Sequence, residues 1–377
     1  MNRPSIPLAR PNVTQAEIDA VVAVLSTPQL SLGPKVSEFE SDMAQYCGTR
    51  EAVACSNGTA ALHMMLEAAG VSEGHEVITT PFSFISSANC ALLAGAKPVF
   101  VDIDPDTWNI DPGLIEAAVN PRSRAVIPVD VFGVAADMDS INEIARRCGL
   151  YVIEDSCEAL GSSYKGRRAG SLGDAGAFGF YPNKQITTGE GGMIVTDDTA
   201  LAGMCRSLRN QGRSADGGWL AHPRLGYNYR LCDINCAMGI VQLSRIDEIK
   251  SHRVRVYGLY HERLSGEQRV SMQKVTPGAE DVNWFVMVVR LADEYDQSER
   301  DRILIELRNR GIGCSNYFAP IHLQPFYVER FGYKEGDFPV CEALTSRSIA
   351  LPFHHELTEK EVDIVCQELQ RLLGESK

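Results

Sequence analysis

The chain reads as an α/β protein: a mostly parallel seven-stranded sheet sandwiched by helices, with a smaller C-terminal α+β domain. Three observations predict this. Short apolar runs without polar alternation recur from residue 52 to residue 196, helical stretches separate them, and the texture changes near residue 245 to a long charged helix followed by mixed elements. Strands covered on both faces read as continuous apolar runs, and intervening helices supply the crossovers that parallel strands need.

The elements follow in order. Residues 14–25 (TQAEIDAVVAVL) predict a helix, with Thr14 as N-cap and Glu17 three positions later to complete a capping box. A second amphipathic helix covers 34–46. The seven strands fall at 52–55, 76–79, 97–101, 125–129, 151–154, 175–180 and 192–196. Helices occupy 60–69, 85–94, 112–119 and 138–148 between them. A boundary near 245 divides the chain into a large domain, 1–245, and a small one, 246–377. In the second, SRIDEIKSHRVRVYGLYHERL predicts a helix, 284–289 a strand, 298–310 a helix and GIGCSNYFAPIHLQP a loop. A final helix at 358–373 opens on a second capping box, Thr358 with Glu361.

Composition narrows the function. The 377 residues hold 36 Lys+Arg against 49 Asp+Glu, a net charge of −13, and no basic run, which argues against nucleic-acid binding. No stretch approaches the ~20 apolar residues of a membrane helix. The opening MNRPSIP lacks the apolar core of a secretion signal, so a cytoplasmic protein is expected. Eleven cysteines are scattered, with no Cys-x-x-Cys pair, and several sit in apolar runs (Cys55 in AVAC, Cys90 in ANCALL). Reduced, buried thiols are the expectation. The eight histidines have no ligand spacing, so no metal is expected.

Three motifs carry chemistry, because open α/β sheets collect function at the carboxyl ends of strands. Asp155 ends a strand in VIEDSCEA, where a carboxylate can hold a cationic ring nitrogen; alone it reads as well as a turn or cap residue. The strand 52–55 runs into SNGTAAL, placing Gly58 and Thr59 at a helix N-terminus, where free N–H groups and the helix dipole attract phosphate. Many ordinary strand-to-helix turns look alike. Lys184, in FGFYPNKQITTGEGG, has no charged residue within five positions on either side. Most lysines are solvated surface residues, but a desolvated amine is what Schiff-base chemistry requires. Together the three fit pyridoxal 5′-phosphate: its aldehyde for Lys184, its pyridine nitrogen for Asp155, its phosphate for the Gly58–Thr59 turn. No G-x-G-x-x-G after a strand and no G-x-x-x-x-G-K-[ST] competes.

These residues sit among further landmarks in order: LSLGPKVSEFE, SNGTAALH, EVITTPFSFISSAN, GAKPVFVDID, VIEDSCEALGSSYKGRRAGSLGD, FYPNKQITTGEGG, LRNQGR, GYNYRL and FAPIHLQP. On them the chain resembles, nearly end to end, the sugar aminotransferases of DegT/DnrJ/StrS type, within the fold-type I pyridoxal-phosphate enzymes. The resemblance implies that Lys184 carries the cofactor and Asp155 pairs with its pyridine nitrogen. It implies that Phe84, in PFSF, stacks on the ring. Asn228, in GYNYR, would reach the cofactor phosphate of a partner subunit, giving a homodimer with shared active sites. Tyr317 and His322 would line the substrate side. The implied reaction moves an amino group from an amino-acid donor, glutamate, to a nucleotide-linked keto-sugar, a 4-keto-6-deoxy sugar. Two alternatives remain at this point: a sugar dehydratase, which carries His where Lys184 stands, and a non-catalytic binding protein that kept the fold.

Two departures accompany the resemblance. Glu158 stands where relatives often have Gln or His near the cofactor's phenolic oxygen, so it is expected to be protonated, turned aside or linked through a donor. Gly179 stands where many relatives have a serine that donates to the phosphate, leaving Ser162, Ser163 or water as candidate substitutes. Residues 210–226 form a Gly-rich polar loop carrying Arg213 and Arg224, with Arg206, Arg209 and Arg230 beside it. It reads either as a solvated connection or as a lid whose guanidinium groups meet a diphosphate. The second reading requires a local positive pocket in an acidic exterior.

Overall fold

A computed structural model describes residues 5–214 and 221–375. Its central sheet has seven strands: β1 (Glu51–Cys55), β2 (Glu76–Thr79), β3 (Lys97–Phe100), β4 (Ser123–Ile127), β5 (Tyr151–Asp155), β6 (Ala175–Gly179) and β7 (Gly192–Thr196). Their spatial order is β1-β7-β6-β5-β4-β2-β3. The ladder from β3 to β6 is parallel, while β7 runs antiparallel to both β1 and β6. Each expected strand forms, with ends shifted by a residue or two.

Alternate side chains explain the helices on both faces. Val77, Ala125, Ile127, Ile153 and Ile194 point to one side, into a core shared with the helices Gly58–Ala68 and Thr199–Arg209. Ile78, Val126 and Val152 point to the other, against the helix Met138–Cys148. The two-residue strand period therefore feeds two cores, and no strand face is left for water.

Both expected capping boxes form, Thr14 with Glu17 and Thr358 with Glu361. Two further helices form, Thr199–Arg209 and Asp233–Ser244. The long charged segment is the helix Ile246–Leu264, and Arg245 breaks it from the preceding helix with φ −104° and ψ 9°. It packs on a second core with the helices Gln297–Asn309 and Glu359–Gly374 and a three-stranded antiparallel sheet, β8 (Val270–Met272), β9 (Met287–Leu291) and β10 (Ser348–Leu351). Ile6 bridges to Ile312 and joins this core. The strand expected at 284–289 begins at Met287 instead. Ahead of it, the Asn283 and Phe285 N–H groups bond to Ser162 Oγ and the Phe132 carbonyl, so this stretch serves the large sheet rather than the small one.

Candidate active site

The carboxyl ends of β1, β5 and β6 open onto one cavity of about 1060 Å³. That is at the upper end of the ~300–1,000 Å³ usual for small-molecule sites. Gly58, Thr59, Phe84, Asp155, Glu158, Lys184 and Tyr317 all line it. Strand β5 delivers Asp155, and the parallel neighbours fix its main chain: its N–H bonds to the Pro128 carbonyl and its carbonyl accepts from Asp130 N–H. Asp155 as a whole is 5% exposed. Oδ2 accepts from Ser87 Oγ at 2.6 Å, Ser83 Oγ lies 2.8 Å from that hydroxyl, and Oδ1 accepts from Cys157 N–H at 3.2 Å. A buried hydrogen bond to a charged acceptor contributes about 1.5–3 kcal/mol, so Ser87 holds the carboxylate in one orientation.

Lys184 follows β6 through a turn closed by its own N–H on the Tyr181 carbonyl. Its side chain is 16% exposed. Nζ lies 3.4 Å from Glu158 Oε1 and 4.1 Å from the Phe285 ring centroid, a cation held between a carboxylate and an aromatic face. Glu158 Oε2 accepts from Phe132 N–H at 3.0 Å. Burial pushes the Glu158 carboxyl above its ordinary value, and the Lys184 ammonium opposes that rise. Glu158 is not turned aside: it lines the cavity, and its partners are an amide and the lysine itself.

At the third corner, the helix Gly58–Ala68 points its first turn into the cavity. Asn57 caps it, accepting from Ala60 N–H at 2.8 Å. Among the described residues no side chain takes the N–H groups of Gly58 and Thr59, the orphan donors of a helix start. A Cβ at Gly58 would lie 2.7 Å from Cys157 Sγ, so a larger residue there would require that thiol to shift. Thr59 Oγ1 donates to Ser86 Oγ at 2.7 Å. Phe84 is 61% exposed at the cavity wall, so it is not a core phenylalanine.

Other expectations fail. His322 does not line the cavity; it is fully buried, with Nε2 3.0 Å from Glu342 Oε1 and its ring packed on Phe338. Ile321 and Gln324 take the wall position instead. Ser162 cannot replace the missing serine, because it donates to the Gly133 carbonyl and accepts from Asn283 N–H, and Ser163 bonds to the Glu280 carbonyl. The arginines do not make a positive pocket in this chain. Arg206 pairs with Glu51 at 2.7 Å, Arg209 is bound to Glu40 and to the Ala54 carbonyl, Arg224 donates to Ser207 Oγ and Arg230 to Asn210 Oδ1 at 3.0 Å. Neither Arg213 nor Arg230 lines this chain's cavity. Asn228, expected at the site of a partner subunit, bridges to Asn210 and lies off its own chain's wall, where that expectation requires no contact. Among the described lining residues Lys184 is the one cation, against Asp155, Glu158 and Glu190. Residues 215–220 of the expected lid lie outside the described residues.

Sequence reasoning missed Ser83, Ser86 and Ser87 in PFSFISSAN, of which Ser86 and Ser87 open a helix and Ser83 precedes it with its hydroxyl 2.8 Å from that of Ser87. It also missed Tyr229 and Phe285, whose wall positions depend on tertiary packing.

The residues fit pyridoxal phosphate. An amine, a carboxylate fixed by a buried serine, a helix N-terminus with free donors and an exposed aromatic ring converge on one cavity, the set its aldehyde, ring nitrogen, phosphate and ring face need. The comparisons agree. The DegT/DnrJ/EryC1/StrS aminotransferase family matches residues 11–370. A GDP-perosamine synthase of Caulobacter vibrioides is 41% identical over 372 residues, covering 98% of this chain and 99% of the relative. Among solved structures, DesV of S. venezuelae in complex with a ketimine intermediate superposes with a TM-score of 0.88 at 32% identity, covering 94% of this chain and 93% of that one. The PLP form of a sugar aminotransferase, Spr1654 of Streptococcus pneumoniae, superposes at 0.93 and 27% identity, covering 99% of both chains. This chain belongs to the DegT/DnrJ/EryC1/StrS aminotransferase family and is a pyridoxal-phosphate-dependent sugar aminotransferase.

Proposed function

We propose that this enzyme takes an amino group from glutamate and places it on a nucleotide-linked keto-sugar, a 4-keto-6-deoxy sugar, working as a homodimer with shared active sites. The observation that carries the reading is the convergence of Lys184, Asp155 and the Gly58 helix start on a cavity of about 1060 Å³, larger than the cofactor alone needs. The 41% identical relative is a GDP-perosamine synthase, which supports a sugar nucleotide as the acceptor.

Bound pyridoxal phosphate supplies an aldehyde for the amine and a ring that accepts electrons from the carbon beside it. The chain's own groups do the rest. Gly58 and Thr59 N–H groups would hold the phosphate, and Asp155 would hold the ring nitrogen. The Lys184 amine would carry the proton to and from the substrate carbon. Burial of the Asp155–Ser87 pair keeps water from competing for the carboxylate. The cation that meets the sugar's diphosphate is not Arg206 or Arg209, which are already paired with carboxylates.

The test uses purified protein with cofactor. A visible absorption band is expected, glutamate should bleach it, and mass spectrometry should then show one keto-sugar nucleotide from a panel gaining an amino group. Lys184→Ala should lose the band, the borohydride-trapped adduct and turnover, by a factor of a thousand or more on the scale of a lost nucleophile. Full turnover in Lys184→Ala would sink the mechanism. A normal band with no turnover on any keto-sugar would sink the acceptor assignment and favour a binding protein.

A further inference from the structure

Among the described residues, Arg253 is a buried cation without an anion. It lies on the helix Ile246–Leu264, is 5% exposed, and has no carboxylate among the causes acting on its charge; burial alone pulls it down to about 10, so it stays charged at neutral pH. Such a group is costly to bury unless its donors are satisfied. Its fork meets carbonyl oxygens instead: Nη1 donates to Trp284 at 3.2 Å and Phe285 at 3.1 Å, and Nη2 donates to Lys184 at 3.1 Å. Nε has no acceptor among the described residues. Both wing donors therefore go to the main chain of the two residues whose side chains meet in the cavity, since the Phe285 ring is the face that Lys184 Nζ lies over at 4.1 Å.

We infer that Arg253 is a positioning residue for the Lys184 amine: one guanidinium pins the main chain of Lys184 and of Phe285, and so fixes the amine against the ring that limits its swing. The geometry is specific to a planar fork. A lysine ammonium carries the same charge on a point and cannot reach carbonyls in these directions together. The clamp also ties a helix packed on the small-sheet core to the turn that follows β6, so the packing of that core bears on where the amine stands. The inference rests on Lys184 being the amine that meets the cofactor.

The experiment measures how fast Lys184 is tagged by pyridoxal phosphate and borohydride in the cofactor-free full-length protein, read by peptide mass spectrometry and normalised to folded protein. Arg253→Met and Arg253→Lys should both be tagged roughly tenfold or more slowly than wild type, because a misplacement of ~1 Å at a reacting atom costs on the order of a hundredfold. Phe285→Leu, which leaves the guanidinium in place, should be tagged several-fold more slowly. It carries the test if the Arg253 variants do not fold. A wild-type rate in a folded Arg253→Lys or Arg253→Met, or in Phe285→Leu, overturns the inference, as does a lowered melting temperature with unchanged tagging per folded molecule. Absence of tagging in wild type would instead bring down the reading of Lys184 itself.

Discussion

Glu158 is the residue whose chemistry departs furthest from the pattern its neighbours set. It is buried, it accepts from Phe132 N–H and it stands 3.4 Å from Lys184 Nζ. Burial nonetheless leaves its carboxyl titrating above the ordinary range. For an acid raised in the folded state, the stabilising contribution is present below the unfolded value, ~4.3, and is lost as pH rises through the folded value. Above that folded value wild type bears the cost of an ionised buried carboxylate, and Glu158→Gln, which keeps the acceptor for Phe132, does not. The melting temperature of cofactor-free Glu158→Gln relative to wild type should rise as pH climbs from the unfolded value, ~4.3, through the raised folded one and then level off; a difference that falls with pH would contradict the assignment. Sequence could flag Glu158 as anomalous because it sits three residues after Asp155, but its partners come from 26 positions away on either side, Phe132 and Lys184. His322 shows the converse. Its neighbourhood in FAPIHLQP suggested the cavity, yet the side chain turns to Glu342 and an aromatic cluster, a choice of direction that local sequence does not encode.

At the level of elements, the phosphate turn is shaped by what lies behind it. Gly192 opens β7, and a Cβ there would meet the Asn57 carbonyl carbon at 2.4 Å and Gly58 N at 2.9 Å, main-chain atoms that cannot swing aside. Gly179 ends β6 beside the same turn, but a Cβ there would meet Cys157 Sγ at 3.5 Å and Cβ at 3.7 Å, ordinary contacts. The two glycines therefore predict opposite outcomes. Gly192→Ala should destabilise the fold by about 1–3 kcal/mol, the usual cost of overpacking, and weaken pyridoxal-phosphate binding at least tenfold. Gly179→Ser should fold as wild type and tighten that binding several-fold, by offering the turn a hydroxyl. Absorbance titrations and melting curves decide both; a tolerated Gly192→Ala would mean that the turn is not set by close backbone approach. The seven strands and two capping boxes were legible because each is written locally, as an apolar run or as Thr followed by Glu. The antiparallel sense of β7 was not, since direction within a sheet follows from the connections and not from a strand's composition. The same holds for the start of β9, displaced to Met287 as Asn283 and Phe285 N–H donate to Ser162 Oγ and the Phe132 carbonyl.

For the whole molecule, charge poses the remaining problem. A protein of net charge −13 has to hold two phosphate-bearing ligands, and within one chain the described cavity wall offers one cation against three carboxylates. The arginines expected to correct this are spent inside the chain or lie off the wall. Asn228 also misses the wall, although Tyr229 beside it lies on it. Meanwhile Ile18, Val22 and Leu25 form an exposed apolar stripe at helical spacing on Gln15–Leu25, with Leu30 and Leu32 exposed beyond it. A second copy would cover such a surface and bring Asn228 to a site that lacks it, which is the shared-site homodimer we propose. Complementation tests this directly. Lys184→Ala and Asn228→Asp should each be nearly inactive alone, the second because a new anion would face the cofactor phosphate. If sites are shared across a two-fold axis, unfolding and refolding the two together makes mixed dimers holding one intact site each, and activity should return to roughly a quarter of wild type. Cross-linking or light scattering on the same samples confirms that dimers formed. Dimers whose mixture stays inactive would show that Lys184 and Asn228 serve the same site from the same chain, and the acidic cavity would then have to find its second cation within a single subunit.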